Sequence, residues 1–172
     1  PCPTFQKQLL KIRAHPSIEF IQHKTTIENA IKDGSIILSA THSEIKRINK
    51  IGLELNPNEL IQGYKVGAPV VFKKDMVKFD IINNDEGVIT DIKDNYLHIL
   101  VNNQLVKIDI NRASLIADKN HNIRFVEVAY SSTYHQCQGR TIMSNVVLNT
   151  RNMLKFKRSI RLKMIYVGIT RV

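Results

Sequence analysis

"AYSSTYHQCQGRT", residues 129–141, is the stretch on which the reading of this chain turns. It overlaps the end of an apolar run, "FVEVAY" (125–130), and precedes another, "NVVLN" (145–149). Both runs have the character of core strands. Between them, Ser131, Ser132 and Thr133 offer caps and exposed amides just after a strand. A helix N-terminus at that point suits a phosphate. Gln138-Gly139 sets a long amide beside backbone that can turn tightly and let a ligand approach. Arg140 adds charge. The expectation is therefore a turn and a short helix between two core strands. The plain alternative is an ordinary strand–turn–helix crossover with a buried His135.

Working outward, "SIILSAT" (35–41) is apolar without alternation, the pattern of a strand buried on both faces in a parallel sheet. "TTIENAIKDG" (25–34) predicts a short helix before it, capped by Thr25 or Thr26, with Glu28 in the first turn and Gly34 at the C′ position. "HSEIKRINKIGLEL" (42–55) predicts a helix after it, with Ile45, Ile48, Ile51 and Leu55 in one stripe. A further helix is expected over 4–14, capped by Thr4 and ended at His15-Pro16. Helix, strand and helix in close order imply an α/β layer. The middle differs. "APVVFKK", "EGVITDI", "YLHILVNN" and "LVKIDI" are short strands separated by breaks at 83–87, 93–95 and 102–103. They predict a small β-barrel or curled sheet. The expected organisation is an α/β domain in two parts, 1–63 and 121–172, interrupted by a β insert over 64–120.

Charge is distributed unevenly. The chain has 172 residues and a net charge of +10, and the last of its 15 acidic residues is Glu127. From Val128 onward there are 8 basic residues and 0 acidic ones: Arg140, Arg151, Lys155, Lys157, Arg158, Arg161, Lys163 and Arg171. Polyanions are the natural partners of such a segment. No apolar run approaches the ~20 residues of a membrane helix, and no signal-peptide pattern opens the chain. An intracellular, reducing compartment without membrane contact is the expectation. Cys2 and Cys137 have no metal or framework spacing.

Several chemistries lack their signatures. There is no GxxxxGK[ST] phosphate loop and no GxSxG elbow. The six histidines include no i, i+4 pair, so no metal site is expected. Asp85-Glu86 follows two asparagines and precedes a glycine, which predicts a hairpin turn and not a metal-binding pair.

The opening stretch resembles motif V of superfamily 1B DNA helicases, the RecD-like and Pif-type enzymes. Ala129, Tyr130, Thr133, His135, Gln138, Gly139 and Thr141 match the family pattern, while Gln136 and Cys137 depart from it. "YVGITR" (166–171) resembles motif VI. "IILSAT" resembles the strand before a loop that contacts nucleic acid, with Ala40 in place of the usual proline. "GAPVVFKKD" with "IINNDEGVITDI" resembles a further family segment, Asp85 standing where glycine is usual. "FQKQLLKIRAHP" resembles the stretch that follows the ATPase half.

The resemblance implies an incomplete RecA-like parallel-sheet domain, the second of two in the motor, with an SH3-like β-barrel insert. It implies ATP with Mg2+, bound mainly by the first RecA-like domain, which carries the phosphate loop and the metal-binding Asp-Glu absent here. Arg171 would be the arginine finger. Gln138, Gly139, Thr170 and Arg171 would face the nucleotide. Thr41, His42, Thr133, His135 and Arg140 would face single-stranded DNA. The partners implied are that DNA and the N-terminal RecA-like domain of the same helicase, with 5′→3′ translocation. By this reading the 172 residues alone are inactive toward ATP, and the chain is expected to continue beyond Val172. The alternatives are a non-enzymatic nucleic-acid-binding module derived from a helicase, and an RNA helicase of the same superfamily.

Overall fold

Gly34 closes the first described helix as the sequence requires. In this computed structural model, α1 spans Ile27–Lys32, and Gly34 adopts φ 69°. The Ser35 N–H donates to the Ala30 carbonyl at 2.9 Å and the Gly34 N–H to the Ile31 carbonyl at 3.1 Å. These are the two bonds of a Schellman cap, which needs a left-handed residue at C′. The structure describes residues 27–114, 116–118, 123–137 and 145–169. The helix expected over 4–14, Cys2, and residues 138–144 and 170–172 lie outside the described residues.

The chain folds as two units, Pro1–Lys46 with Ser131–Val172, and Arg47–Tyr130. In the first, strand β1 (Ile36–Ser39) follows α1. Helix α2 (His42–Leu55) begins three residues later. It coincides with the stripe read from Ile45 to Leu55, and the division into units falls within it, after Lys46.

In the second unit, β2 (Pro69–Phe72) leads through a 3-10 turn at Val77–Phe79 to β3 (Glu86–Lys93), β4 (Tyr96–Val101) and β5 (Gln104–Asp109). The short helix α3 (Ile110–Ser114) follows, then β6 (Ile116–Asp118), β7 (Ile123–Arg124) and β8 (Val126–Val128). Five of these strands form an antiparallel sheet in the order β5-β4-β3-β2-β8, and β6 pairs separately with β7. The β3–β4 hairpin turns on Asp94-Asn95 and the β4–β5 hairpin on Asn102-Asn103. All four of these residues have positive φ, between 49° and 65°. That is the type I′ geometry whose twist matches paired strands, and Asn and Asp tolerate it. Alternation along β4 and β5 buries Leu97, Ile99, Val101, Val106 and Ile108 around Tyr64, Val70, Phe72, Ile89 and Val126. The Tyr64 hydroxyl donates to the Val126 carbonyl at 2.8 Å. Val126–Val128 has the core-strand character read from its sequence, and its partner is β2.

The first unit resumes with β9 (Ser131–Thr133), β10 (Val146–Asn149), a 3-10 turn at Met153–Lys155 and helix α4 (Arg158–Ile169). Its sheet is parallel throughout, in the order β10-β1-β9. Leu38, Tyr134, Cys137, Met153 and Met164 form its buried cluster, with Leu148, Phe156 and Ile165 packed against it. Gly168 lets α4 approach this cluster closely. A Cβ there would lie 2.5 Å from Leu148 Cδ2 and 3.2 Å from Tyr134 Cε1. No described helix is long and apolar enough to cross a membrane.

The architecture is thus mixed α/β: a three-stranded parallel sheet and a separate five-stranded antiparallel one. One local expectation is corrected. Ser131, Ser132 and Thr133 do not cap a short helix after a strand; they are themselves strand β9, paired in register with Ile37, Leu38 and Ser39. The reason is side-chain chemistry. The buried Ser131 hydroxyl donates to the Ile37 carbonyl at 2.8 Å, so a polar strand is held inside a parallel sheet without an apolar signature.

Candidate functional site

Parallel strands place their carboxyl ends on one edge of a sheet, and ligands of open α/β sheets bind outside that edge. Here the register aligns Ser39 with Thr133 on one side and with Asn149 on the other, and these residues end β1, β9 and β10. The segment after β1 enters α2 at once. Thr41 caps that helix: its Oγ1 accepts from the Glu44 N–H at 3.4 Å and lies 3.0 Å from Ser43 Oγ. The segment after β9 turns sharply at 134–137. There Gln136 is tied back to the strand. Its N–H donates to Thr133 Oγ1 at 3.0 Å, while its Oε1 accepts from Ser132 Oγ at 3.1 Å and the Thr133 N–H at 3.2 Å. Gln136, a departure from the motif pattern, thus builds the turn that presents His135.

A cavity of about 440 Å³ opens at this edge. Ser39, Ala40, His42, Thr133, His135 and Gln136 supply lining from the strand ends and turns; Tyr134, Phe156 and Met164 supply apolar lining. Three of the sequence-predicted DNA-facing residues, His42, Thr133 and His135, therefore share one cavity, and Thr41 is the cap one residue before His42. His135 is exposed, unlike the buried histidine of the plain crossover alternative, and so is His42. Thr133 is 8% exposed, with its hydroxyl engaged by Gln136. Burial pushes the Tyr134 phenol well above its usual range, so it stays neutral and lines the cavity as an uncharged ring. Arg140, Gln138, Gly139, Thr170 and Arg171 lie outside the described residues; α4 ends at Ile169, directly before the Thr170-Arg171 pair.

Sequence reasoning missed the polar network behind this edge. Asn149 Nδ2 donates to Ser39 Oγ at 3.3 Å and to Glu44 Oε2 at 3.2 Å. Its Oδ1 accepts from the Arg151 N–H at 3.0 Å. Ser39 Oγ lies 3.0 Å from Ser131 Oγ. Because the Ser131 proton goes to Ile37, Ser39 is the donor in that pair. A one-way chain of hydrogen bonds thus runs Asn149 to Ser39 to Ser131 to Ile37 across all three strands. Glu44 is 5% exposed and also accepts from Asn152 Nδ2 at 3.3 Å, with Arg151 Nε at 3.6 Å. The only sequence signal was the Thr41-x-x-Glu44 spacing of a helix start; partners 105 and 108 residues away leave no local trace.

This layout has counterparts among solved proteins. No family model and no curated protein matches the chain. Solved Pif1 helicases match its fold. A structure of two coordinating Pif1 helicases unwinding forked double-stranded DNA superposes with a TM-score of 0.64 at 16% identity, covering 98% of this chain and 44% of that one. Pif1 helicase from Bacteroides, in complex with ADP-AlF3 and single-stranded DNA, gives 0.58 at 16% identity, covering 98% and 46%. Pif1 helicase from Candida albicans gives 0.56 at 16% identity, covering 84% and 49%. The chain has a Pif1-like helicase fold and spans just under half the length of these solved helicases. Among the described residues, no group of three or more His, Cys, Asp or Glu side chains gathers to hold a metal.

Proposed function

We propose that this chain is the second RecA-like motor domain of an intracellular, ATP-dependent superfamily 1B DNA helicase that moves 5′→3′ along single-stranded DNA. Residues 1–63 and 121–172 form its RecA-like part, with motif V at 129–141 and motif VI at 166–171. Residues 64–120 are its SH3-like insert. One observation carries the reading: His42, Thr133 and His135 line a single cavity at the carboxyl edge of a parallel sheet, beside the Thr41 cap. Hydroxyls, imidazoles and helix-start amides hold phosphates without reading bases, which suits a sequence-independent motor. The Pif1-like fold supports the same reading, since solved relatives of that fold carry single-stranded DNA and ADP-AlF3.

On this reading, Thr41, His42, Thr133, His135 and Arg140 track the DNA backbone. Gln138, Gly139, Thr170 and Arg171 face the nucleotide. ATP with Mg2+ would be held mainly by the N-terminal RecA-like domain of the same helicase; its binding would close the cleft and its hydrolysis would reopen it. Arg171 brings a planar, permanently charged donor to that cleft from the residue pair just after α4. Lysine lacks this bidentate geometry.

The test is Arg171→Ala and Arg171→Lys in the intact helicase. Both should lower DNA-stimulated ATP hydrolysis by ~10³-fold or more, the scale of arginine fingers in phosphoryl transfer, while DNA affinity without nucleotide stays within about twofold of the native value. Hydrolysis at the native rate in either variant refutes the finger. Stronger stimulation by RNA than by DNA would place the protein in the RNA branch.

A further inference from the structure

We infer that Glu44 is a positioning residue for the DNA-facing end of α2, an assignment that rests on the function proposed above. Glu44 is in the first turn of α2, and its backbone N–H is the one capped by Thr41. Its side chain does not point to solvent as an ordinary first-turn glutamate would. It is nearly fully buried and accepts two amide donors from across the fold, Asn149 Nδ2 on Oε2 and Asn152 Nδ2 on Oε1. Asn149 is the last residue of β10, and its other amide hydrogen goes to Ser39, the last residue of β1.

The cap residue Thr41, the cavity residue His42 and the ends of two parallel strands are therefore referenced to one carboxylate. The loop after Asn149 leads to α4 and so toward Thr170-Arg171. Through Asn152, Glu44 also ties α2 by a side-chain hydrogen bond to the β10–α4 connection. A clamp of this kind sets the first turn of α2, and thereby His42 and the Thr41 hydroxyl, in the place a phosphate would meet.

Arg151 contributes little to this clamp. Its Nε is 3.6 Å from the carboxylate and its side chain is 62% exposed, a geometry in which ion pairs are weak. Asn149 and Asn152 each give the carboxylate an amide donor, one on each oxygen. A glutamine at position 44 replaces one of those oxygens by a donor nitrogen, so one of the two bonds is lost in this geometry. Glu44→Gln thus keeps volume and helix propensity and breaks half of the clamp.

The experiment titrates a fluorescein-labelled oligo(dT) with the intact helicase, native and variant, without nucleotide, and reads Kd and binding stoichiometry separately. Glu44→Gln and Asn149→Ala are each expected to raise Kd about three- to tenfold with stoichiometry unchanged, and the double variant should add less than twofold to the weaker single, because the two act through one contact. Arg151→Ala should stay within twofold. A purely structural role would lower the stoichiometry, as part of the sample unfolds, and leave Kd unchanged; that result overturns the assignment. If the native helicase fails to bind oligo(dT), the DNA-binding reading falls, and amide hydrogen exchange decides Glu44 by itself. Faster exchange at Ile45 and Lys46 in Glu44→Gln supports the clamp, and unchanged exchange there overturns it.

Discussion

Gly52→Ala is expected to destabilise the protein even though it adds a strong helix former to the middle of a helix. Gly52 lies within α2, and the ring of Tyr130 rests on it. A Cβ at this position would meet Tyr130 Cγ and Cδ2 at 2.3 Å and Cε2 at 2.7 Å. The ring has little freedom to retreat. Its hydroxyl accepts from Asn56 Nδ2 at 3.4 Å just past the end of α2, and Asn49 Nδ2 donates to the Val128 carbonyl at 2.6 Å, holding the chain two residues before the ring. Overpacking of this kind costs ~1–3 kcal/mol, and three ring atoms below 3.0 Å put the cost near the top of that range. Exchanging glycine for alanine in a helix returns ~1 kcal/mol. The net expectation is a loss of about 2 kcal/mol in the native background. With the ring removed by Tyr130→Ala, the clash disappears and only the propensity gain remains. Gly52→Ala should then stabilise by about 1 kcal/mol, a reversal of sign and a coupling of about 3 kcal/mol. Urea-unfolding midpoints of the four proteins of this cycle, at constant slope, measure it. A higher midpoint for Gly52→Ala in the native background, or a coupling below about 0.5 kcal/mol, would show that the ring does not lie on the helix as described.

Two further expectations concern the parallel-sheet unit. Gly168→Val should destabilise by about 3 kcal/mol or more, because branched carbons would enter the space of Leu148 and Tyr134, whereas Gly168→Ala should cost at most about 1 kcal/mol, since the Leu148 methyl at 2.5 Å can rotate away and the helix gains propensity; thermal unfolding separates the two. Stability should also fall at alkaline pH. Burial holds the Tyr134 phenol neutral above its ordinary value of 10.0, so the unfolded chain loses that proton first. Its contribution is complete below about pH 10 and is lost above it at ~1.4 kcal/mol per pH unit. Tyr134→Phe should flatten the decline in urea midpoint between pH 9.5 and 11, and an unchanged decline would remove Tyr134 as its source.

What was legible in the sequence was local. The stripe from Ile45 to Leu55, the Gly34 stop and the two Asn/Asp turns each specify their structure within a few residues, and each is present. The run at 36–39 could be read as parallel-sheet because no polar residue interrupts Ile36, Ile37 and Leu38. Ser131–Thr133 could not. A strand of Ser-Ser-Thr carries turn chemistry in its composition, and only the Ile37 carbonyl and Ser39 hydroxyl, more than 90 residues away, convert it to a core strand. Val126–Val128 shows the same limit from the other side. Its apolar character was plain, yet nothing in three residues says that they pair with β2. The cavity residues were found through resemblance to a motif. The Asn149–Glu44 clamp behind them belongs to no motif and became visible only when the strand ends were aligned.

The two units differ in charge more sharply than the whole-chain figure suggests. Arg47–Tyr130 contains 11 Lys and Arg residues and 11 Asp and Glu residues, so the entire net charge of +10 resides in the unit formed by 1–46 and 131–172. A neutral antiparallel sheet has no electrostatic reason to seek a polyanion, while the parallel-sheet unit has one, carried mainly by 131–172 with its 8 basic and 0 acidic residues. The proposed DNA-facing residues belong to that charged unit, and the only buried carboxylate among its described residues, Glu44, is turned away from solvent, where it accepts from the Asn149 and Asn152 amides with Arg151 Nε at 3.6 Å. An exposed acid at the first turn of α2 would repel a phosphate approaching Thr41 and His42. Turning that acid inward removes the repulsion at close range, and the same turn gives the clamp its anchor. The positive charge of this unit and the inward turn of Glu44 both agree with the proposed approach of a phosphate to Thr41 and His42.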